Sequence, residues 1–168
     1  VSAARARGED RLGEVEAKTL LDLFEIPVVP TRVAATPEEA AELAEALGYP
    51  AAVKIISPDI SHKTDSGGVA LDLKDREAVR AAAARMLEVI PLHEPDAHLE
   101  GFAVQPMASM PGSHELIAGL VADRVFGPVV LFGHGGTAVE VISDKALGLP
   151  PLNRPLVSEM MERTRIHR

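Results

Sequence analysis

The stretch that decides the fold is AAVKIISPDISHKTDSGGVALDL, residues 51–73. Its apolar ends predict two β-strands, and the polar segment between them, closed by Gly67 and Gly68, predicts a loop. Lys54 stands inside the first apolar strand, where a free ammonium group is costly to bury unless it is paired. Two interpretations follow: an edge strand whose lysine reaches solvent, or a lysine directed at an anion in a cleft.

The loop of this stretch offers groups that suit an anionic ligand. Consecutive glycines allow backbone N–H groups to converge on an anion. No helix follows, so the loop is neither a P-loop nor a dinucleotide-binding fingerprint. His62 is either a surface residue or a nucleophile able to carry a phosphoryl group, and Lys63 beside it would favour an anion. A flexible hairpin connection is the alternative for the whole loop.

Composition limits the class of protein. The 168 residues suit one domain or two small subdomains, and 46% are hydrophobic, which is enough for a core. The net charge of −8 argues against a nucleic-acid-binding protein. No cysteine is present, and no apolar run approaches the roughly 20 residues of a membrane helix. We therefore expect a soluble, cytoplasmic protein without a membrane partner. Because the chain begins at Val1 rather than Met, we expect it to be a piece of a longer protein.

The first half of the chain predicts helices alternating with strands. Residues 1–10 are small and polar and predict a linker or a disordered end. Apolar spacing predicts helices over residues 11–24, 36–47 and 76–89, the second with Thr36 as N-cap and the third with Asp75 as N-cap. The segment 28–35 predicts a short edge strand, because Pro30 lacks a backbone donor.

The second half predicts an antiparallel meander and a last helix over residues 154–165. Its four strand candidates, joined by short turns, are Leu99–Met107, Glu115–Ala122, Pro128–Phe132 and Ala138–Ile142. With a boundary between residues 96 and 97, the chain becomes an N-terminal lobe, 11–96, and a second lobe, 97–168. This order of elements is an α+β pattern in two layers or two lobes.

Carboxylates in the second half are candidates for metal or ligand binding. Glu140 lies inside the apolar strand TAVEVI, shortly after the glycine turn at Gly135 and Gly136, and Asp144 follows it. Such carboxylates suit Mg²⁺, or they could pair with Lys54. Glu115 opens a strand and either accepts from a ribose hydroxyl or is an ordinary exposed strand end.

Several of these segments together resemble one known family. They are KIISPDISHKTDSGGVALDL, GFAVQPM, HELIAG, DRVFGPVVLFGHGGTAVEVISDKALGLPPLN and the final TR. Their order and spacing, over about residues 12–166, are similar to the ATP-grasp domain of NDP-forming acyl-CoA synthetases. That family includes ADP-forming acetate–CoA ligases and bacterial acetyltransferase fusions. The resemblance implies an α+β ATP-grasp fold in which two lobes with largely antiparallel sheets and flanking helices hold ATP or ADP with Mg²⁺.

The resemblance also implies roles for individual residues. Lys54 would bind the nucleotide phosphates, with the mobile loop from His62 through Lys63 to Gly67 and Gly68 above them. The hinge from Val104 through Gln105 to Met107 would meet adenine, and Glu115 would bind ribose. Further positions carried over are the glycines Gly135 and Gly136, the metal-end carboxylates Glu140 and Asp144, and His62 as a phosphohistidine relay.

This sequence departs from the family pattern at His134, where a small or apolar residue is usual, and in two places that bear on the expected roles. Pro106 in the hinge has no N–H, so only carbonyl groups and the Met107 N–H remain for adenine. The family domain also continues into an acidic-Asn-Pro element that binds Mg²⁺, and the chain stops at Arg168 before such an element. We therefore expect a fold that is incomplete at its C-terminal end and a fragment that is inactive alone.

The resemblance leaves three functions open. The first is the nucleotide-binding part of an acyl-CoA synthetase, working with CoA-binding and CoA-ligase domains or a subunit of the same enzyme. The second is a non-catalytic nucleotide sensor or scaffold in an acetyltransferase fusion. The third is another ATP-grasp ligase. The sequence is also compatible with a homo-oligomer.

Overall fold

The chain divides into two compact units, Val1–Ala108 and Ser109–Arg168. The computed structural model describes residues 2–6, 8, 12–60, 62–108, 112–136 and 143–168. The boundary lies later than the predicted one between residues 96 and 97. The strand that follows residue 97, Gly101–Pro106, lies inside the sheet of the first unit, and this moves the boundary past residue 106.

The first unit is one antiparallel sheet with helices. In chain order its elements are α1 (Ser2–Ala6), α2 (Glu14–Leu23), β1 (Arg32–Ala34), α3 (Pro37–Leu47), β2 (Ala51–Ile56), β3 (Val69–Leu73), α4 (Arg76–His93) and β4 (Gly101–Pro106). The strand order is β1–β4–β2–β3, and all neighbours are antiparallel. β1 is therefore an edge strand, as predicted, although it is shorter. β2 is internal, so the edge-strand interpretation of Lys54 is wrong.

Side-chain caps define where the two helices beside the sheet begin. The Thr36 hydroxyl accepts from the Glu39 N–H at 3.2 Å, and the Asp75 carboxylate accepts from the Ala78 N–H at 2.8 Å. Such caps satisfy backbone donors that have no partner within the helix. Both caps were predicted from the sequence. α4 continues past the predicted end at residue 89, and residues 2–6 form a helix where a linker was predicted.

One face of the first sheet is buried against α3 and α4. Phe102 and Ile55 are completely buried on this face. The cluster of buried residues there comprises Ala34, Ala40, Ala41, Ala44, Ala51, Val53, Ile55, Ile60, Val79, Ala83, Met86, Ile90, Phe102 and Val104. Alanine on the helices allows them to approach the larger strand residues closely. Because strand side chains alternate, residues 52, 54, 103 and 105 point to the opposite face.

The second unit is a smaller antiparallel meander with one helix. Its elements are β5 (Leu116–Asp123), β6 (Gly127–His134), β7 (Lys145–Gly148) and α5 (Arg154–Glu162), with strand order β5–β6–β7. Phe132, Ala146 and Met160 form its buried cluster. In the described parts of both units, no helix is long and apolar enough to cross a membrane.

The predicted four-strand meander needs correction. Its first member, Leu99–Met107, corresponds to β4 and pairs with β1 and β2 in the first unit. Its last member, Ala138–Ile142, lies outside the described residues. β7 was not predicted, since KALG is short and carries little of the β-branched character by which strands are recognised. The α+β class with two antiparallel sheets is confirmed.

Candidate functional site

Lys54 projects from the centre of the first sheet into an ion pair. Its Nζ donates to Glu14 Oε1 at 2.7 Å, and Lys18 Nζ lies 3.0 Å from the same oxygen. The three side chains are 20 to 26% exposed. The lysine is therefore neither buried alone nor free in solvent, and the three charges together leave one net positive charge.

Lys18 connects this ion pair to β4. Besides Glu14, its ammonium group donates to Thr31 Oγ1 at 2.7 Å and to Gln105 Oε1. An ammonium group has three donors, and these contacts use all three. Lys54 uses one donor on Glu14, and among the described residues no other group accepts from its remaining two. Lys54 is therefore the member of this charge cluster that can bind an anion; the cluster comprises Glu14, Lys18, Thr31, Lys54 and Gln105.

The electrostatics of Glu14 match its position between two lysines. Burial alone would raise the pKa of this carboxyl group. Hydrogen bonds and charge attraction from Lys54 and Lys18 outweigh that effect and hold the Glu14 pKa below its ordinary value of 4.5. The carboxylate therefore remains ionised at neutral pH and keeps both lysines in place.

The predicted anion-binding loop is closed on itself. Its consecutive turns satisfy the N–H groups with carbonyls of the same loop: those of Asp65 and Ser66 on His62, that of Gly67 on Thr64 and that of Gly68 on Lys63. The prediction that these N–H groups converge on an anion is therefore wrong for this structure.

The glycine pair has a packing reason instead. Gly67 has a φ of 74°, which disfavours other residues. A Cβ on Gly68 would lie 2.6 Å from the Ile55 side chain.

His62 lines an open cavity of about 400 Å³. The other lining residues are Asp59, Ile60, Asp65, Ser66, His93 and Glu94. The described contacts do not join His62 or Lys63 to the charge cluster around Lys54. The structure therefore keeps the predicted catalytic histidine in a separate and acidic setting.

The predicted hinge is only partly available to a ligand. Val104 is fully buried and pairs with both β1 and β2. The Met107 N–H, which the sequence left for adenine, donates to the Pro50 carbonyl at 2.8 Å, because pairing with β2 continues beyond the strand. Gln105 joins the charge cluster, and its Oε1 accepts from Lys18 and from Thr31. These two donors fix the amide so that its NH₂ group faces away from them.

The second unit brings together three other predicted site residues. The Gly135 N–H donates to the Glu115 carbonyl at 2.7 Å. A Cβ on Gly136, where φ is 74°, would lie 2.4 Å from Glu115 Oε2, so only glycine allows this carboxylate to rest on the turn. Glu140, predicted as a metal ligand, lies outside the described residues.

Asp144 has a structural role. Its two oxygens accept from the backbone N–H groups of Arg165 and Ile166, each at 2.9 Å, and its side chain is 7% exposed. The Arg165 N–H is the main cause that lowers the Asp144 pKa; burial opposes it, and the Ile166 N–H together with charge attraction from Arg165 and His134 leaves the pKa below its ordinary value. Within the described ranges no group of three His, Cys, Asp or Glu side chains could hold a metal ion. The described residues therefore do not fit the predicted Mg²⁺ site at Asp144.

Sequence reasoning missed three members of the charge cluster. Glu14 and Lys18 were seen only as residues of a helix, although their i, i+4 spacing is typical of an ion pair. The need of Lys54 for a partner was visible, but the sequence did not indicate which of 25 acidic residues provides it. Thr31 carried no signal.

Comparison with known proteins identifies the family to which this chain is similar. A family model described as an ATP-grasp domain matches residues 3–168. The chain is 39% identical over 158 residues to the beta subunit of acetate–CoA ligase (ADP-forming) I of Pyrococcus furiosus, covering 94% of this chain and 67% of that subunit. It is 35% identical to acetate–CoA ligase (ADP-forming) I of Archaeoglobus fulgidus, again over 94% of this chain but only 23% of that protein.

A solved protein shows the same fold. The solved relative is the dinucleotide forming acetyl-coenzyme A synthetase 1 of Ca. Korarchaeum cryptofilum. Its complex with coenzyme A, Ca-AMPCP and HgCl+ matches with a TM-score of 0.91 and 36% identity, over 98% of this chain and 71% of that one. A second complex, with coenzyme A and Mg-AMPPCP and a phosphohistidine segment pointing towards the nucleotide binding site, matches with a TM-score of 0.80, 34% identity and coverages of 98% and 69%. The chain therefore belongs to the ATP-grasp domain family, and within it to the ATP-grasp domains of ADP-forming acetate–CoA ligases.

Proposed function

We propose that this chain is the nucleotide-binding part of an ADP-forming acyl-CoA synthetase. The whole enzyme would interconvert acyl-CoA, ADP and phosphate with a free acid, CoA and ATP, through a phosphohistidine. The Pyrococcus and Archaeoglobus relatives, whose names state this type of ligase, support the proposal. CoA-binding and CoA-ligase domains, or a subunit that contains them, would be its partners.

The main support for the proposal is the environment of Lys54. It lies on an internal strand, its charge is stabilised by Glu14, and two of its donors have no acceptor among the described residues. An ammonium group in a partly desolvated place binds phosphate oxygens through charge-assisted hydrogen bonds. We therefore assign Lys54 to the nucleotide phosphates.

Other residues would bind the rest of the nucleotide. The Gln105 amide, oriented by Lys18 and Thr31, would offer its NH₂ group to a ring nitrogen of adenine, in place of the Met107 N–H that is used by Pro50. By the family resemblance, Glu115, on the turn at Gly135 and Gly136 of the second unit, is a further candidate acceptor for ribose hydroxyls. Mg²⁺ would carry phosphate charge, but the described residues supply no set of ligands for it, and Glu140 lies outside them.

His62 would be the phosphoryl acceptor within this domain. An unprotonated ring nitrogen would attack the γ-phosphorus of ATP and form an N–P bond, while the bond from phosphorus to the bridging oxygen breaks and ADP leaves with its electron pair. The other ring nitrogen would give its proton to a carboxylate of the cavity or to water. The reverse sequence returns the phosphoryl group to ADP.

One observation favours a second function, in which the domain binds nucleotide without transferring phosphate. Asp59, Asp65 and Glu94 line the cavity together with His62. These carboxylates would repel an approaching phosphoryl group. A non-catalytic nucleotide sensor would need Lys54 but not His62.

The test of nucleotide binding is calorimetry with ADP on the wild type and on Lys54→Met. We expect a loss of affinity of about tenfold or more, because hydrogen bonds from a charged donor are worth about 1.5–3 kcal/mol each. Lys74→Met is the matched control, since Lys74 is 76% exposed and its ion pair with Asp72 spans 3.8 Å. Equal affinities for wild type and Lys54→Met, or no ADP binding by the wild type, would overturn the proposal.

The phosphohistidine is tested by incubating the protein with ATP radiolabelled at the γ-phosphate. Acid-labile label should appear on the wild type and be absent from His62→Ala. His93→Ala, which alters the other histidine of the same cavity, should label normally. Equal labelling of the wild type and His62→Ala would remove the relay role, and binding without any label would favour the sensor.

A further inference from the structure

Glu14 holds the phosphate-binding lysine of the proposed nucleotide site. We propose that Glu14 is a positioning residue: its carboxylate fixes Lys54 from one side and leaves the other two donors of that ammonium group for the nucleotide. This inference rests on the proposed function of Lys54. It adds to the nucleotide site a residue of α2, 40 positions away in sequence.

The contact geometry supports a positioning role. Lys54 has four rotatable side-chain bonds, and ordering such a chain costs conformational entropy. The 2.7 Å hydrogen bond to Glu14 orders it before ligand arrives. A nucleotide that meets an ordered lysine avoids much of this cost, which is the general advantage of preorganisation.

Lys18 keeps Glu14 from moving away. It contacts the same carboxylate oxygen at 3.0 Å while its other donors hold Thr31 and Gln105. The carboxylate is therefore connected through Lys18 to β4, as well as to β2 through Lys54. The lysine for the phosphates and the amide proposed for adenine are linked by one carboxylate and one ammonium group.

Removing the charge of Glu14 distinguishes two roles of this residue: positioning Lys54 for the nucleotide, or competing with the nucleotide for Lys54. If Glu14 only occupied Lys54 in the absence of ligand, its removal would free the lysine and strengthen nucleotide binding. If it positions Lys54, its removal leaves two ammonium groups without their shared partner, and they move apart. The charge cluster keeps one net positive charge with Glu14 present, so a phosphate is attracted even while the ion pair remains.

The first measurement is ADP affinity for Glu14→Gln against the wild type. We expect about tenfold weaker binding, because the neutral amide keeps the shape but loses the charge that orders Lys54. Asp22→Asn removes a carboxylate from an exposed position of the same helix and should bind ADP like the wild type. Unchanged or stronger binding by Glu14→Gln would overturn the inference, and the amide NMR spectrum shows that the variant is folded.

The second measurement is a readout that a merely structural role would not move. Carboxyl-carbon NMR follows the titration of Glu14 with and without saturating ADP. A phosphate on Lys54 brings negative charge close to Glu14, so the midpoint should rise with ADP. Glu77, whose pKa is also lowered by a basic partner, Arg80, lies on α4 against the other face of the sheet and should not change. A Glu14 midpoint that ADP leaves unchanged would contradict the inference.

The two proposals fail in different ways. If the wild type does not bind ADP, the proposed function fails. A higher titration midpoint of Glu14 in Lys54→Met than in the wild type would then show only that the ion pair exists. If ADP binds and Lys54→Met weakens it while Glu14→Gln does not, Lys54 keeps its role and Glu14 loses the one proposed here.

Discussion

The two compact units use their charged residues differently. In the first unit, Lys54, Glu14 and Lys18 bind one another through side chains, and Lys54 retains donors that no described residue accepts. In the second unit, both carboxylate oxygens of Asp144 accept from backbone N–H groups, and Asp123 likewise accepts from the N–H groups of Val125 and Phe126. Asp144 and Asp123 therefore hold backbone segments of the second unit, while the cluster of the first unit keeps capacity for a ligand.

The units also differ in their cores. The described part of the first unit buries fourteen residues in one cluster, whereas that of the second buries three. Every residue of β5 is exposed. The rigid support for a ligand therefore lies in the first unit, where Lys54 stands on a strand that packs against the larger core. A site that must hold a charge in a fixed place needs such support.

The largest expected loss of stability comes from removing a large side chain from the core of the first unit. Phe102→Ala should lower the free energy of unfolding by about 3–5 kcal/mol, because a fully buried ring leaves a cavity. Chemical denaturation followed by circular dichroism measures it. Phe126→Ala is the matched control: this ring is 66% exposed in the second unit, and its loss should change stability by about 0.5 kcal/mol or less. Equal effects of the two variants would contradict the difference between the cores.

A smaller loss of stability is expected from Asp144→Asn, which tests whether the two units use their charged residues differently. The amide keeps one acceptor but loses the charge on which two backbone N–H groups converge. Stability should fall while ADP affinity stays unchanged, the opposite of Lys54→Met. Thermal unfolding and calorimetry on both variants provide the measurements, with Asp22→Asn as the control for stability. Lost ADP affinity in Asp144→Asn would return this residue to the ligand site.

The pH dependence of the same variant has a definite sign. The folded pKa of Asp144 is lower than its ordinary value of 3.8, mainly because of the Arg165 N–H. Its contribution is therefore complete above that ordinary value and is lost as pH falls through the lower folded pKa. Between these two values the wild type should lose stability more steeply than Asp144→Asn. Identical acid unfolding curves would show that the carboxylate contributes nothing.

Local signals in the sequence predicted much of the first unit. The caps Thr36 and Asp75 placed α3 and α4, and the apolar runs around the glycine pair placed β2 and β3, because these features act within a few residues. The position of β4 could not be predicted in the same way. Its pairing with β1 and β2 is a long-range contact, and short turns after it favoured a meander instead.

The candidate site shows the same limit. Lys54 was predicted because a charge in an apolar strand is locally unusual. Its partner Glu14 was not, since nothing in one sequence links two side chains 40 residues apart. The glycine loop was predicted to bind an anion, but its N–H groups bond to its own carbonyls, which depends on the turn geometry rather than on composition.

The NMR response of Lys54 to ADP tests directly whether this lysine binds the nucleotide. We expect saturable shifts of the Lys54 Cε signal and of the Gln105 side-chain amide, with the exposed Lys74 signal unchanged. That result would place the nucleotide on the face of the first sheet that carries the charge cluster. Saturable ADP binding that leaves both the Lys54 and Gln105 signals unmoved would contradict the account.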